Sequence, residues 1–351
     1  MAAKTARRLK VCKLYSLRNL LDKLWMLCSL AIRIAPPRLH ATSLKEFDQV
    51  KKAALFTLLV TALAGCSHDV QQRPATQAGQ QLEVVRDPRR IVTFDYGSYD
   101  SLIALGAGER VLAVPGSLPP YLADKAGQTQ NAGNMKTPDI DAIAALKPDL
   151  ILITGRQGES RQALQALAPI LDMGISGDDY FTGLADNTRL LGRLVGKAAE
   201  AQQALSALQD KAERARQQIA ASGQRTLVLT HNAGRFAPTE NALIYSLLQA
   251  PRALPAPTPQ PLGAPRQRPQ PLDAGAIAAA EPEVIFIIDR SAAIGATPLD
   301  VATLADSPLA RTPAAQAKRI VYLDPALWYL SGGGLQSVDL QIDQVLAAYR
   351  L

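Results

Sequence analysis

The sequence contains one internal repeat that limits what the chain can fold into. The first copy, at residues 143–156, reads IAALKPDLILITGR, and the second, at residues 277–290, reads IAAAEPEVIFIIDR. Ile, Ala, Ala, Pro, Ile, Ile and Arg stand at the same places in both copies. In each copy a helical segment stops before proline, because proline lacks an amide N–H and its ring clashes with the preceding turn. An apolar run follows, and an arginine stands where that run ends.

The apolar runs of the repeat predict the fold class. Residues 150–154 and 284–288 are too apolar for strands with one wet face and are typical of strands covered on both faces in parallel α/β sheets. Ligands of open α/β sheets lie beyond the carboxyl ends of the strands. We therefore predict two Rossmann-like α/β lobes, each a parallel sheet flanked by helices, that direct Arg156 and Arg290 into a shared cleft.

The positive charge of the chain is concentrated at its start. Residues 1–66 contain 12 Lys/Arg and three Asp/Glu, whereas the remainder contains 26 basic and 28 acidic residues. The overall net charge of +7 therefore belongs to the leader. A basic balance confined to a leader gives no support to nucleic-acid binding by the folded part.

The end of this leader has the ordered features of an export signal. Two lysines precede an apolar core at residues 53–62, which is too short to span a bilayer, and residues 63–66 read Leu-Ala-Gly-Cys. The segment 50–66 resembles a bacterial lipoprotein signal peptide, in which Cys66 is lipidated and becomes the mature N-terminus. A buried helix with an incidental cysteine is the alternative. Because a signal peptide is N-terminal, residues 1–49 are interpreted as a wrongly assigned start or, alternatively, as a basic membrane-surface segment.

Beyond the leader, composition and periodicity divide the chain into further parts. Residues 67–88 are polar and aperiodic, which is typical of a flexible tether. Alternating strand and helix signals predict an N-terminal lobe at 89–196 and a C-terminal lobe at 223–351. A helix over 197–222 is long enough, at about 1.5 Å per residue, to join the lobes as one rigid rod, although it could also be a surface helix of one lobe. The Pro-rich residues 251–271 predict a segment without regular structure.

Three segments together resemble one known family. Residues 139–157 read DIDAIAALKPDLILITGRQ, residues 285–290 read IFIIDR, and residues 319–337 read RIVYLDPALWYLSGGGLQS. With the lipoprotein signal, they resemble the periplasmic iron–siderophore-binding proteins of ABC importers, class III solute-binding lipoproteins whose two α/β lobes are joined by one rigid helix. The likeness runs from about residue 90 to the end of the sequence and is nearest to the branch that binds catecholate-type ferric siderophores.

The resemblance implies a ligand site between the lobes. It makes Arg156 and Arg290 the arginines that clamp the ligand, and Tyr329 a phenolate donor or ring wall beside the iron. Guanidinium groups suit a bulky aromatic anion, because they stack on rings and donate to oxygens, and phenolate oxygen suits hard ferric iron. Surface ion pairs and a core aromatic are the alternatives, and the recurrence of the arginine at equivalent positions favours the site.

Further residues are candidates for the same site. Tyr96 follows the first predicted strand. His231 ends a predicted strand of the second lobe and is either an imidazole ligand of iron or a hydrogen-bonded loop histidine. The resemblance places Arg268 where the family often has an iron-ligating histidine, and Glu240 where it often has a third cleft arginine. These departures leave the ligand contacts of the second lobe open.

The resemblance also implies docking to a permease. Members of the family use one acidic residue on the outer face of each lobe, and Asp141 occupies that place in the first lobe. The equivalent place in the second lobe is Gly275, so Asp273, two positions away, is predicted to substitute. Ordinary solvation of an exposed helix is the alternative for both aspartates.

The motif content favours a binding protein over an enzyme. The glycines at 332–334 are not followed by the Lys-Ser/Thr of a P-loop, and no G-x-S-x-G motif occurs. After residue 66 there is no further cysteine and only two histidines, so we expect neither a disulfide nor an intrinsic metal or cofactor.

We therefore predict a periplasmic, lipid-anchored, monomeric solute-binding subunit. It captures a ferric siderophore, with iron present only as the siderophore complex, and delivers it to an ABC permease of the inner membrane. Haem, a cobalamin and a hydroxamate siderophore are the alternative ligands. An exported enzyme or a cell-envelope adaptor on the same fold is the remaining alternative.

Overall fold

A computed structural model describes residues 86–349, apart from 117, 125–128, 176–178 and 258–269. The predicted leader at 1–49, the signal peptide at 50–66 with Cys66, and most of the tether at 67–88 lie outside these residues, as does Arg268. Within the described residues, no helix combines the length and the apolar composition needed to cross a membrane.

The first half of the described chain alternates strands and helices around a five-stranded sheet. Its strands are β1 (Ile91–Thr93), β2 (Val111–Val114), β3 (Gln130–Asn131), β4 (Leu150–Ile153) and β5 (Ile170–Asp172). Its helices are α1 (Tyr96–Ala104), α2 (Pro120–Ala123), α3 (Ile140–Leu146), α4 (Arg161–Gln165) and α5 (Tyr180–Leu194), with short 3-10 turns at Gly108–Arg110 and Gly155–Gln157. All pairings are parallel, in the order β3-β2-β1-β4-β5.

One long helix, α6 (Ala198–Ser222), leads into a second, four-stranded sheet. Its strands are β6 (Thr226–Asn232), β7 (Arg235–Pro238), β8 (Val284–Asp289) and β9 (Ile320–Leu323). The helices that follow are α7 (Ala274–Ala279), α8 (Arg290–Ala293), α9 (Pro313–Gln316) and α10 (Leu335–Tyr349). Two π-helical segments lie at Leu243–Leu247 and Ala326–Leu330, and 3-10 turns lie at Val301–Leu304 and Pro308–Arg311.

The second sheet has the order β7-β6-β8-β9, and only the hairpin strand β7 is antiparallel. Two largely parallel sheets flanked by helices, with one long helix between them, confirm the predicted fold class. The sequence predicts a joining helix over 197–222, and the structure has α6 at Ala198–Ser222.

The internal repeat builds the same local structure twice. The helices α3 and α7 begin after Asp139 and Asp273, whose carboxylates accept the backbone N–H three residues further on. Lys147 and Glu281 then adopt the left-handed conformation, with φ of 48° and 45°, which ends each helix before its proline. The strands β4 and β8 follow, buried along their whole length between two neighbouring strands. The prediction that both strands are covered on both faces is therefore confirmed.

The closing helix α10 lies between the lobes, packed against both α6 and α1. Its first turn is capped by the first lobe. The buried carboxylate of Asp100 in α1 accepts the backbone N–H groups of Gln336 at 2.8 Å and Ser337 at 2.7 Å, and Ser101 Oγ accepts that of Leu335 at 3.1 Å. Because the first N–H groups of a helix have no partner within the helix, side chains of one lobe here complete a helix of the other.

Glycines let the two backbones approach each other at this junction. A Cβ added to Gly97 would clash with the Gly332 carbonyl oxygen and lie 3.0 Å from backbone atoms of Gly333 and Gly334. A Cβ added to Gly334 would clash with the Asp100 carboxylate. Gly97 and Gly334 are therefore required by the close packing at this junction, whereas Gly332 and Gly333 are favoured by their positive φ of 125° and 72°.

We expect Gly97→Ala to lower the free energy of unfolding by about 1–3 kcal/mol, because backbone atoms, which move less readily than side chains, must shift to admit the methyl group. The measurement is the urea midpoint at neutral pH. Gly158→Ala is the matched control, because Gly158 has right-handed backbone angles and its added Cβ meets its nearest atom at 3.6 Å. Equal midpoints for the two variants would contradict the packing described here.

A second prediction concerns pH. Burial raises the pKa of Asp100 to about 6, above its ordinary value of 3.8, and outweighs the hydrogen bonds from Gln336 and Ser337. The folded state therefore holds this proton more tightly than the unfolded state, and the contribution of Asp100 to stability falls as pH rises from about 4 to about 6, then stays level.

We expect the unfolding free energy of the wild type, minus that of Asp100→Asn, to decrease by roughly 3 kcal/mol across this pH range. Urea titrations of both proteins at several pH values between these limits measure it. A difference that is constant, or that grows with pH, would show that burial does not dominate the titration of this carboxyl group.

Candidate ligand-binding site

The two repeat arginines meet at one side chain, Tyr329. Arg156 follows β4 of the first lobe, and Arg290 follows β8 of the second. The Cζ atom of each lies 5.8 Å from the centroid of the Tyr329 ring. Cations at this distance interact favourably with an aromatic ring. The fold therefore brings the predicted pair together from opposite lobes.

Hydrogen bonds hold both guanidinium groups in this arrangement. Arg156 Nη2 donates to the backbone carbonyl of Tyr329 at 2.9 Å, so it bridges from the first lobe to the second. Arg290 Nε donates to the Tyr329 hydroxyl at 2.8 Å, and its Nη1 donates to Asn232 Oδ1 at 2.6 Å. Within the described part of the chain neither arginine forms a salt bridge. Neither guanidinium group there thus has a carboxylate as its direct partner, unlike in the ion-pair alternative.

A cavity of about 240 Å³ lies between the lobes. Two of the residues that line it are close in sequence to the arginine pair and its tyrosine. Thr154 stands two residues before Arg156, and Trp328 directly precedes Tyr329. Its walls come from both lobes and include Asp95, Thr154, Tyr180, Asn241, Trp328 and Gln341. The cavity is therefore a pocket of the cleft.

Asp95 is a cavity residue that the sequence reasoning missed. It stands after β1 and caps α1, where its carboxylate accepts the Ser98 backbone N–H at 2.9 Å and the Ser98 hydroxyl at 2.6 Å. Burial raises its pKa, against the opposing effects of these hydrogen bonds and of the charge of Arg156. In the sequence, Asp95 stands three residues before a serine at the start of a helix. This pattern predicts a helix cap but does not predict that the residue lines a pocket.

Tyr96 does not line this cavity. Its side chain is only 3% exposed, and its hydroxyl donates to the Pro115 carbonyl oxygen. Burial raises the pKa of this phenol to about 12. The prediction that Tyr96 faces the ligand is therefore not supported, because as the first residue of α1 its ring turns into the core of the first lobe.

His231 has both ring nitrogens occupied within the protein. It is 3% exposed, its Nδ1 lies 2.8 Å from Asp289 Oδ1, and its Nε2 accepts the Gly234 backbone N–H at 3.0 Å. Neither nitrogen is available to iron in this arrangement. The geometry therefore matches the hydrogen-bonded alternative and not the predicted metal ligand.

The His231–Asp289 pair positions Arg290. Asp289 ends β8 and caps α8, which begins with Arg290. Burial raises the pKa of Asp289, but hydrogen bonds from the Leu299 backbone, His231, Tyr322 and the Ala292 backbone outweigh it and hold the pKa at about 2. The carboxylate therefore stays ionised at neutral pH and fixes the start of the helix that carries the arginine.

The remaining predicted site residues are placed as follows. Arg268 lies outside the described residues. The Glu240 carboxylate accepts hydrogen bonds from both terminal nitrogens of Arg252, at 2.8 and 2.6 Å, so Glu240 is part of an ion pair. The described residues contain no group of three His, Cys, Asp or Glu side chains able to hold a metal ion. A role for Tyr329 as an iron ligand stays a prediction.

The two aspartates predicted to dock a permease are not equivalent. Asp141 is exposed in the first turn of α3. Asp273 is the repeat counterpart of Asp139, and like Asp139 it caps its helix, with Oδ1 accepting the Ala276 backbone N–H at 2.7 Å. Helix capping therefore accounts for Asp273 locally, and docking by either residue stays a prediction.

Comparison with known proteins places the chain in a family. A model of the family described as periplasmic binding protein matches residues 91–327. The petrobactin-binding protein YclQ of Bacillus subtilis (strain 168) is 29% identical over 311 residues, which cover 84% of this chain and 98% of the relative. Its crystal structure matches with a TM-score of 0.69 and 26% identity, over 76% of this chain and 93% of that chain.

Two further relatives have comparable similarity. The ferric-anguibactin-binding protein FatB of Vibrio anguillarum (strain ATCC 68554 / 775) is 25% identical over 328 residues, covering 87% of this chain and 99% of the relative. The crystal structure of PiuA, an iron uptake ABC transporter substrate-binding protein of Streptococcus pneumoniae Canada MDR_19A, matches with a TM-score of 0.68 and 31% identity, over 75% of this chain and 93% of that chain.

These relatives are binding proteins and not enzymes, as the motif content predicts. The family model spans both sheets, from the start of β1 to Leu327, two residues before Tyr329. The two lobes, the long helix between them and the strand ends that face a common cleft have the architecture that the resemblance implied. The chain belongs to the periplasmic binding protein family.

Proposed function

We propose that this chain is the solute-binding protein of an ABC importer and that it captures a ferric siderophore of the catecholate type between its lobes. The observation that carries the proposal is the pair of guanidinium groups, one from each lobe, that meet at Tyr329 without a carboxylate partner among the described residues.

The contacts of Tyr329 indicate what this pair can hold. Its ring lies within reach of two cations, its hydroxyl accepts one guanidinium hydrogen bond, and its carbonyl accepts another. A ferric catecholate offers the same features, aromatic faces and oxygen acceptors, with additional negative charge. Charge-assisted hydrogen bonds and cation–ring contacts would both strengthen in a cleft from which the ligand displaces water.

The names of the relatives support an iron-chelate ligand. YclQ is named for binding petrobactin and FatB for binding ferric anguibactin, whereas PiuA is described as a protein of iron uptake. In this chain the siderophore would supply most of the coordination of ferric iron, because the described residues hold no cluster of metal-ligating side chains. Tyr329 would approach the complex as a phenolate donor or as a ring wall.

The cellular setting follows from the same proposal. The protein acts as a monomer in the periplasm, anchored through a lipid on Cys66, and delivers its ligand to an inner-membrane permease by way of Asp141 and Asp273.

Intact-mass measurement of the membrane-bound protein should give a chain that begins at a diacylated Cys66. A mature protein that retains Met1 would contradict the anchor without touching the ligand site.

We expect Arg156→Gln and Arg290→Gln each to weaken binding of a ferric tris-catecholate by roughly 10- to 100-fold, because each removes one charge-assisted contact of about 1.5–3 kcal/mol. Quenching of tryptophan fluorescence measures binding, since Trp328 lines the cavity next to Tyr329. Lysine at either position should restore part of the affinity, because it keeps the charge but not the planar fork.

Arg161→Gln is the matched control for the two arginine variants. Arg161 is exposed in the first lobe and pairs with Asp172 at 3.1 Å, so its loss changes the net charge equally but leaves the cleft intact. We expect its affinity to equal that of the wild type.

Folded wild-type protein that shows no response to micromolar ferric catecholate would overturn the proposal. Preferential binding of haem, cobalamin or a ferric hydroxamate in the same assay would replace the proposed ligand, and turnover of a ligand would favour an enzyme.

A further inference from the structure

A second pocket lies in the first lobe, away from the cleft. Its volume of about 710 Å³ falls within the roughly 300–1,000 Å³ that is usual for small-molecule sites. Four arginines, one aspartate and the end of α5 form its walls. These residues, which we call the basal pocket, are Arg86, Asp87, Arg89, Arg110, Arg193, Leu194, Val195 and Gly196. The guanidinium groups of the pocket thus outnumber its carboxylates by four to one.

The basal pocket and the cleft lie at opposite ends of the first lobe. Arg89 and Arg110 stand just before β1 and β2, at the amino ends of parallel strands, whereas the cleft cavity lies beyond the carboxyl ends of β1 and β4. Helix α5 runs from one to the other, because Tyr180 lines the cleft cavity and Leu194 lines the basal pocket. At about 1.5 Å per residue these two positions are about 21 Å apart. The two pockets are therefore separate sites.

Asp87 neutralises only part of the positive charge. Its carboxylate accepts hydrogen bonds from Arg89 Nε at 3.0 Å and from Arg110 Nη1 at 2.6 Å, so it holds two of the guanidinium groups at the pocket. Glu109 Oε1 lies 4.0 Å from Arg110 Nε, but its side chain is 73% exposed and does not line the pocket. An excess of positive charge therefore remains.

Arg86 and Arg193 supply this excess. Both residues are exposed, and neither side chain forms a salt bridge within the residues that the structure describes. A guanidinium group binds phosphate oxygens through two parallel N–H bonds. Leu194 and Val195 add apolar surface beside the charged groups. The basal pocket therefore suits a phosphodiester that carries an uncharged group such as glycerol.

The place of the basal pocket along the chain indicates which phosphodiester it meets. Arg86 is the first residue that the structure describes, and Cys66, the proposed site of the lipid, stands 20 positions earlier. A chain of that length spans at most about 70 Å, and a flexible linker of that length averages about 25 Å between its ends. Membrane headgroups are therefore at high local concentration near the pocket. Basic clusters next to a membrane anchor attract anionic lipids.

We propose that the basal pocket binds the phosphodiester headgroup of an anionic phospholipid, phosphatidylglycerol, in the membrane that holds the anchor. Bound in this way, the protein rests with its cleft turned away from the membrane. Asp141, at the start of α3, lies at the cleft end of the first lobe, so docking of that face to a permease requires release of the headgroup. The inference goes beyond the ligand site and rests on the lipid anchor of the proposed function.

Arginine footprinting on the anchored protein tests the proposal. Lipidated protein is reconstituted in vesicles of phosphatidylcholine alone or of equal parts phosphatidylcholine and phosphatidylglycerol, and modification of each arginine by phenylglyoxal is followed by mass spectrometry. We expect Arg86 and Arg193 to react roughly tenfold more slowly with phosphatidylglycerol present, because phosphate covers their guanidinium groups. Arg161, which pairs with Asp172, should react at the same rate in both kinds of vesicle.

Arg89 reports on the variants, because it too lines the basal pocket. In the wild type it should also react more slowly with phosphatidylglycerol present. In the double variant Arg86→Gln/Arg193→Gln this protection should disappear. Because neither replaced side chain has a salt bridge among the described residues, we expect the double variant to fold.

Arg189→Gln is the matched control. Arg189 stands one turn before Arg193 on α5, is exposed and pairs with Asp186 at 3.5 Å, but it does not line the basal pocket. This variant removes a positive charge from the same helix. The protection of Arg89 should remain.

Each outcome bears on one proposal. Equal rates for Arg86 and Arg193 in both kinds of vesicle would overturn the basal pocket, as would protection of Arg89 that survives in the double variant or is lost in the control. Equal protection by millimolar inorganic phosphate in phosphatidylcholine vesicles would replace the lipid by a free anion. Protein isolated without a lipid on Cys66 would overturn the anchor and this inference, but not the siderophore site. Protein that shows the footprint but does not respond to ferric catecholate would overturn the proposed ligand alone.

Discussion

The contact of two guanidinium groups with one tyrosine is the interaction around which the cleft of this fold is arranged. Arg156 reaches from the first lobe to the backbone of Tyr329, and Arg290 reaches its hydroxyl from the second. Arg156 thus connects the lobes, and both arginines provide positive charge to the cleft. Under the proposed function, a ligand that replaces the tyrosine between the arginines would exchange one set of ring and oxygen contacts for another, and this exchange would couple binding to the relation between the lobes.

Most of the remaining structure holds these groups in place. The repeat puts an arginine at the carboxyl end of a central strand in each sheet, and the ionised Asp289, bonded to His231 and Tyr322, fixes the start of the helix that carries Arg290. Between the lobes, the hydroxyl of Tyr180 accepts the Gly333 backbone N–H at 3.1 Å, and Tyr121 is hydrogen-bonded to Ser331. The residues that follow the second π-helical segment are therefore attached to the first lobe at two points.

The parts of this architecture that depend on local chemistry were accessible from the sequence. A strand buried on both faces must be continuously apolar, and a helix that ends in a left-handed residue before proline leaves a visible pattern, so the repeat revealed β4, β8 and their arginines. Position after a strand does not fix the direction of a side chain, which explains why Tyr96 points into the core although it stands after β1.

Other features arise only from contacts between distant residues. The hairpin strand β7 and the two-residue strand β3 are too short to show periodicity. Asp95 and Gln341 carry no local signal for a pocket, because an aspartate at a helix start and a glutamine within a helix are ordinary residues. The need for Gly97 arises from backbone that lies more than 200 positions further along the chain.

The capping of α10 by Asp100 has a consequence for biogenesis. The carboxylate belongs to the second element of the described chain, whereas the N–H groups that it accepts belong to the last. During synthesis or export from the N-terminal end, the first lobe can form its sheet early, but this acid then lacks its native partners until α10 has emerged. Assembly of α10 on the first lobe therefore joins the two extremes of the described chain, and a product that stops short of Leu335 would leave Asp100 without these N–H partners.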